Sequence, residues 1–233
     1  MSKPLRSNPD APSKLRSGIA RAVTARLDRD PAVWRAPIDA ADIYRRAGFL
    51  TADECRALLP MIDADLRPSA VFAEGDWAAE FRSSETCDLH PQSPLIAAID
   101  ARIAALLGLP AENGETLQGQ RYLPGQHFRA HCDYFEGSQP YWPEMLAQGG
   151  QRTWTAMVYL NQVEEGGATW FPRAGVRFAP EPGLLIAWNN MRPDGAPNPG
   201  TIHEGMRVVA GAKYILTKWY REAAWNDGGT RAY

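Results

Sequence analysis

The chain has 233 residues, is 45% hydrophobic and carries a formal net charge of −2 at pH 7. That length suits one globular domain with a sizeable core, and the charge balance gives no general pull toward nucleic acid or an anionic membrane. The three cysteines, Cys55, Cys87 and Cys132, form no metal-spacing motif and are odd in number, so a disulfide framework is not expected and a reducing cytoplasm is the simplest setting.

Residues 1–36 concentrate positive charge, with eight Lys and Arg against three Asp. They read as a basic tail carrying one amphipathic helix, since Leu15, Ile19, Val23 and Leu27 recur every four residues before Pro31. Such a segment is either a solvated face or a docking arm for an acidic partner. No apolar leader precedes it, and no run approaches membrane-spanning length.

Residues 37–113 read as a helical support region. Thr51-Ala-Asp-Glu54 has the form of a capping box and predicts a helix to about Asp63. Ser93-Pro94 reads as an N-cap followed by proline at the first helical position. The run "LIAAIDARIAALLG" then predicts a helix that Gly108 stops. The first half is expected to be mostly helical.

Residues 114–233 have a different texture. The runs "TLQGQRYL", "RTWTAMVYLN", "ATWF", "GVRFA", "GLLIAWN" and "KYILTKWY" are rich in β-branched and aromatic residues, and Gly, Pro and Asn separate them. Seven or eight strands without long helices between them point to an antiparallel sandwich or barrel of jelly-roll type. The expected fold is α+β: a double-stranded β-helix with the N-terminal helices supporting one sheet. "EGSQPYWPEMLAQGGQ", residues 136–151, interrupts the strands as a loop with a short helical turn. Loops of this length are often functional, and Tyr141 and Trp142 offer flat rings for a substrate.

"RYLPGQHFRAHCDYF", residues 121–135, holds two of the four histidines. The four-residue spacing of His127 and His131 would suit a helix, but Pro124-Gly125 precedes them and no helical stripe surrounds them. On a strand, His131 and Asp133 share a face while Cys132 points away. An imidazole and a carboxylate so placed can bind a divalent ion, although a hydrogen-bonded surface pair has the same sequence. His203, in the last strands, is the candidate third ligand, because a jelly roll lays early and late strands side by side. Two histidines and one carboxylate leave positions open on iron for a 2-oxo acid and dioxygen.

Lys213 sharpens this reading. The chain has 25 Lys and Arg, of which only four are lysines, and Lys213 lies inside the apolar run "AGAKYILTKW". A buried lysine needs a partner. The far carboxylate of a dicarboxylate cosubstrate supplies one; a lysine snorkelling from an edge strand is the plainer alternative.

These pieces, with "RTWTAMVYLNQVEEGGATWFP", "PEPGLLIAWNN" and "IHEGMRVVAGAKYILTKWYRE", resemble the catalytic domain of the prolyl 4-hydroxylase family of iron- and 2-oxoglutarate-dependent dioxygenases. The resemblance runs from about Gln118 to Glu222. It implies Fe(II) on His131, Asp133 and His203, 2-oxoglutarate on Lys213 with help from Tyr122 and Thr169, and dioxygen, with ascorbate as an accessory reductant. Ala168 stands where the family usually has glutamate. Arg152 and Trp219 match substrate-facing positions, with a surface ion pair and a core tryptophan as the structural alternatives. The implied reaction hydroxylates an unactivated C–H bond, and the carboxylate of Asp133 favours this over halogenation. A prolyl residue of a protein or peptide is the expected substrate. Hydroxylation of a free amino acid or small metabolite is the rival within enzymes, and a non-catalytic iron- or 2-oxoglutarate-binding module is the rival outside them. His127 and His90 are expected to be structural.

Overall fold

The computed structural model describes residues 8–69 and 80–226. The first seven residues of the basic tail, residues 70–79 of the support region and the last seven residues of the chain lie outside the described residues.

Three helices form where the local signals place them. In α1 (Lys14–Leu27) the Ser13 side chain accepts from the backbone N–H of Arg16, and Ala20, Val23 and Leu27 are buried. In α2 (Ala52–Asp63) both arms of the capping box between Thr51 and Glu54 are made. In α3 (Pro94–Leu107) Gly108 closes the helix in the left-handed region at φ 68°, while Ser93 contributes no side-chain cap bond.

The first half also contains strands that the sequence reading leaves out: β1 (Trp34–Arg35), β2 (Ile43–Arg46), β3 (Arg67–Pro68) and β4 (Glu85–Leu89). They are short, and tertiary pairing makes them strands. β2, for example, pairs with a strand about 140 residues later. The second half supplies β5 (Leu117–Tyr122), β6 (Phe128–His131), α4 (Trp142–Ala147), β7 (Arg152–Tyr159), β8 (Glu165–Gly166), β9 (Thr169–Phe171), β10 (Val176–Phe178), β11 (Leu185–Asn189), β12 (His203–Gly205), β13 (Val208–Ala210) and β14 (Lys213–Arg221).

The strands make an eight-stranded sheet in the order β1-β2-β11-β7-β14-β5-β4-β3, a four-stranded sheet β10-β9-β12-β6, and the pair β13-β8. The expected jelly-roll core is therefore present, with N-terminal helices on the outer face of the large sheet. Alternation along the central strands separates two cores. Trp154, Ala156, Val158, Leu216 and Tyr220 pack with Leu58, Ile62, Ile99 and Leu107 of the helices. Met157, Tyr159, Ile186, Trp188 and Ile215 point the other way, toward Phe171 and Phe178 of the small sheet. Fully burying each such side chain stabilises the fold by about 1.5–3 kcal/mol. Gly119 lets α2 approach β5: a Cβ there would come within 2.6 Å of Ile62.

Candidate active site

The cavity between the two sheets collects the polar residues of the inner face. Along β14, Lys213, Ile215, Thr217 and Trp219 all line it, at alternate positions as the pleat requires. From the small sheet come His131 and His203, which stand directly opposite each other where β6 pairs with β12. Asp133 lies two residues past the end of β6.

Side-chain nitrogen and oxygen atoms of His131, Asp133 and His203 all lie within 4.8 Å of one another. The Nδ1 of His131 is 2.8 Å from the Arg129 carbonyl, and that of His203 is 3.0 Å from the Thr201 carbonyl. A carbonyl only accepts, so Nδ1 carries the proton in each ring and Nε2 is left with its lone pair. Those Nε2 atoms face Asp133 at 3.8 Å from Oδ1 and 3.9 Å from Oδ2, respectively. Burial, with the neighbouring His203, pushes the His131 pKa down to about 3, so its ring stays neutral. Burial works against ionising Asp133, but His203 and His131, then Arg152 and the Thr155 hydroxyl, outweigh it and hold the carboxyl below its usual range. Two imidazoles that turn Nε2 to the site and one carboxylate, converging from three backbone positions, fit a divalent iron. Aromatic rings hold them in place. Phe128 stacks on His131 at 3.5 Å between centroids, and Trp188 lies edge-on to His203 at 4.7 Å.

Lys213 lines the same cavity. It is 1% exposed, and burial pushes its pKa down to about 7. Among the described residues no carboxylate meets it. Its Nζ instead lies 4.9 Å from the centroid of Tyr122 and 5.5 Å from that of Tyr159. The Tyr122 hydroxyl donates to Gln120 at 2.8 Å, and Thr169 is hydrogen-bonded to the Tyr159 hydroxyl at 2.7 Å. Tyr122 and Thr169 line the same cavity as Lys213 and the three metal-competent residues. A buried ammonium without an anion among the described residues, lining a cavity, is a receptor for a carboxylate.

Arg152 does not reach out to solvent. Its fork grips Glu115, Nε to Oε1 at 2.6 Å and Nη2 to Oε2 at 2.7 Å, and its guanidinium lies 4.2 Å from the centroid of Trp219. Glu115 also accepts from Arg221 at 2.5 Å, and Arg221 donates to the Gly150 carbonyl at 2.7 Å. Burial opposes the charge on Glu115, yet Arg152 and Arg221 together hold its carboxyl below the usual range. Sequence reasoning missed Glu115 and Arg221, because only the register of β14 brings them together.

Of the two loop rings expected to meet substrate, Tyr141 is half-buried at the surface of the loop. Trp142 is turned inward, 8% exposed, in a small core with Phe135 and Met145. Gln151 latches the base of the loop, accepting from the N–H of Phe135 at 2.7 Å and donating to its carbonyl at 2.8 Å. His127 stays outside the metal cluster, with Nε2 3.0 Å from the Glu80 carbonyl. The tail is partly structural: Arg16, 2% exposed, pairs with Glu222 at 3.2 Å and donates to backbone carbonyls. No helix among the described residues is long and apolar enough to cross a membrane.

The description "2OG-Fe(II) oxygenase superfamily" matches residues 117–221. The chain is 34% identical to prolyl 4-hydroxylase 1 of Arabidopsis thaliana over 195 residues, which covers 76% of this chain and 67% of that protein. It is 32% identical to the probable prolyl 4-hydroxylase 4 of the same plant, over 74% of this chain but only 64% of that protein. The chain therefore spans just under two thirds of this second relative. Among solved structures, the 2-oxoglutarate complex of a viral collagen prolyl hydroxylase from Paramecium bursaria Chlorella virus-1 superposes with a TM-score of 0.60 at 26% identity, covering 77% of this chain and 94% of that one. A Pseudomonas putida prolyl-4-hydroxylase shares the fold, with a TM-score of 0.54 at 22% identity over 86% of this chain and 97% of that one.

Proposed function

Because this chain belongs to the prolyl 4-hydroxylase-like family of the 2OG-Fe(II) oxygenase superfamily, we propose that it is an Fe(II)- and 2-oxoglutarate-dependent dioxygenase that hydroxylates a prolyl residue of a protein or peptide. The observation that carries this reading is Lys213, a buried cation without an anionic partner among the described residues, opening into the cavity that His131, Asp133 and His203 also line.

In this reading His131, Asp133 and His203 hold the iron, and Lys213 receives the far carboxylate of 2-oxoglutarate. Iron and 2-oxoglutarate, when bound, supply the oxidant from dioxygen, with succinate and carbon dioxide as coproducts. The chain does the rest. Phe128, Met157, Ile215 and Trp219 wall the cavity with apolar surface and exclude water from the reacting carbon. Tyr122 and Thr169 shape the 2-oxoglutarate end. Arg152, placed over Trp219 and paired with Glu115, would offer the N–H groups that Glu115 does not use to a peptide carbonyl. Tyr141 offers a ring face suited to an extended, proline-containing segment.

The test is mass spectrometry of proline-containing peptides, or of a lysate, incubated with enzyme, Fe(II), 2-oxoglutarate and ascorbate. Gain of one oxygen on a peptide proline is expected. Gain only on free amino acids or small metabolites would transfer the reading to that rival. Absence of 2-oxoglutarate turnover with every substrate offered would favour a binding module.

A further inference from the structure

We infer that Thr155 and Asn190 form a positioning relay that ties up Oδ2 of Asp133, so that this carboxylate presents Oδ1 alone to the metal. The inference rests on the reading of Asp133 as an iron ligand, and the experiment below separates the two.

Three observations lead to it. Thr155 Oγ1 lies 2.7 Å from Asp133 Oδ2, Asn190 Nδ2 lies 2.9 Å from Thr155 Oγ1, and Thr155 and Asn190 are both fully buried. The proton directions then follow from valence. An ionised carboxylate can only accept, so the single hydroxyl proton of Thr155 goes to Asp133. With that proton committed, the contact to Asn190 must run from the amide to the hydroxyl. This fixes the amide with Nδ2 toward Thr155 and Oδ1 turned away. Asn190 Oδ1 is buried without a hydrogen-bond partner, so its own surroundings do not select that orientation; Thr155 does.

The backbone holds the relay rigidly. Thr155 sits in β7 between cross-strand neighbours Trp188 and Trp219. The Asn190 N–H donates to the Thr153 carbonyl at 2.8 Å, and its own carbonyl accepts from Asn198 at 2.9 Å. Neither residue lies near Asp133 in sequence. A carboxylate gripping iron with both oxygens would fill a position that the 2-oxo acid or dioxygen needs. Oδ1 lies 3.8 Å from His131 Nε2 and Oδ2 3.9 Å from His203 Nε2, so distance to the histidines does not separate them; the Thr155 hydroxyl on Oδ2 does, and it leaves Oδ1 as the oxygen for the metal. Thr155 touches Asp133 and Asn190 touches Thr155, so both act through the carboxylate and are positioning residues.

The test uses the full chain stripped of metal and titrated anaerobically with Fe(II), and separately with Co(II), whose visible absorption reports coordination number. Supporting partners of metal ligands typically change metal affinity 10–100-fold. Thr155→Val, which keeps the shape and removes the proton, is expected to weaken Fe(II) binding by about 10–100-fold and to change the Co(II) spectrum. Thr155→Ser restores both. Asn190→Asp, whose carboxylate can only accept, competes for the Thr155 proton and reproduces the Thr155→Val spectrum while the far-UV circular dichroism stays that of the parent. The relay is overturned if Thr155→Val, or Asn190→Asp should Thr155→Val not fold, keeps the parent's affinity and Co(II) spectrum while Asp133→Ala loses metal. Retention of metal by Asp133→Ala would instead overturn the ligand reading beneath it, and the relay with it.

Discussion

Lys213 and Tyr122 are cross-strand partners in the pairing of β14 with β5, and the Lys213 Nζ lies 4.9 Å from the Tyr122 ring centroid. A ring face stabilises an ammonium by only about 0.5–2 kcal/mol, too little to offset full burial. The lysine is therefore held at a cost that a bound dicarboxylate relieves. Lys213→Met keeps most of the stem and removes the charge. Truncating one member of a buried charge pair costs roughly 2–5 kcal/mol, or about 30- to several-thousand-fold in affinity at 1.4 kcal/mol per decade. Titration of 2-oxoglutarate into anaerobic Fe(II) protein is expected to give that loss, with Fe(II) affinity itself unchanged. Parental 2-oxoglutarate affinity in Lys213→Met would remove this residue from the cosubstrate site.

The same lysine predicts a pH dependence with a definite sign. Burial lowers its pKa from 10.5 to about 7 in the ligand-free fold. Between those values the unfolded chain carries a proton that the folded protein has released, so stability rises with pH across the window. The Tm of protein free of metal and 2-oxoglutarate, measured from pH 7 to 10, should climb relative to Lys213→Met. Binding of 2-oxoglutarate restores the proton, so affinity should fall as pH rises above about 7. Calorimetry in buffers of different ionisation enthalpy will show proton uptake on binding. Parallel Tm curves for the two proteins would contradict the assignment.

What was legible in the sequence was what local pattern or strand alternation determines. The capping box at Thr51 and Glu54 and the left-handed stop at Gly108 are local chemistry, and both formed. Lys213 stands out by the apolar run around it and Trp219 by the family resemblance, and alternation along β14 places both on the cavity face. Meeting of His131 and His203 followed from jelly-roll topology. What was not legible depends on pairing between distant segments. β2 is a strand because β11 is its neighbour. Glu115 finds Arg221 across 106 residues, and no spacing rule links them. Trp142 was read as a substrate face from its position in an exposed-looking loop, but the loop has its own apolar core and the ring faces inward.

Removal of any one of His131, Asp133 and His203 leaves two protein ligands on the metal. His203→Ala is expected to reduce 2-oxoglutarate turnover to the limit of detection and to weaken Fe(II) binding severely. Far-UV circular dichroism should stay close to that of the parent, since the change removes one side chain from the cavity wall while Phe171 and Trp188, which pack on His203, keep their own places in the core. Full turnover in His203→Ala would place the third ligand elsewhere.

The half-buried ring of Tyr141 and the inward ring of Trp142 predict opposite phenotypes. Tyr141→Ala removes ring surface available to a peptide and a partly buried contact at the rim of the small core, so the peptide KM should rise several-fold, with the 2-oxoglutarate KM near the parent value and a smaller loss of Tm than in Trp142→Ala. Trp142→Ala removes a packed aromatic ring from the small core with Phe135 and Met145, and losses for such a change run to about 3–5 kcal/mol. Its main effect should be a lower Tm. Steady-state kinetics beside thermal melts distinguish the two; a Tm loss from Tyr141→Ala and none from Trp142→Ala would reverse the roles.

Glu115 makes the sharpest claim about the substrate end, because one carboxylate serves two guanidiniums. Glu115→Gln keeps the shape and removes the charge that Arg152 and Arg221 share. Breaking a buried ion pair by removing one partner costs about 3–5 kcal/mol. For a chain of this size that is a fall in Tm of roughly 6–20 °C, at about 2–4 °C per kcal/mol. Arg152 would also lose one of the two bonds that hold it over Trp219, because the amide keeps a single accepting oxygen. Among folded molecules at low temperature, the peptide KM should therefore rise about tenfold or more, with the 2-oxoglutarate KM little changed. Arg152→Lys should raise the peptide KM similarly but lower Tm less, since an ammonium still balances Glu115 but cannot span both of its oxygens. A purely structural role for Glu115 predicts the Tm loss without the change in peptide KM, and kinetics measured well below the melting range separate the two.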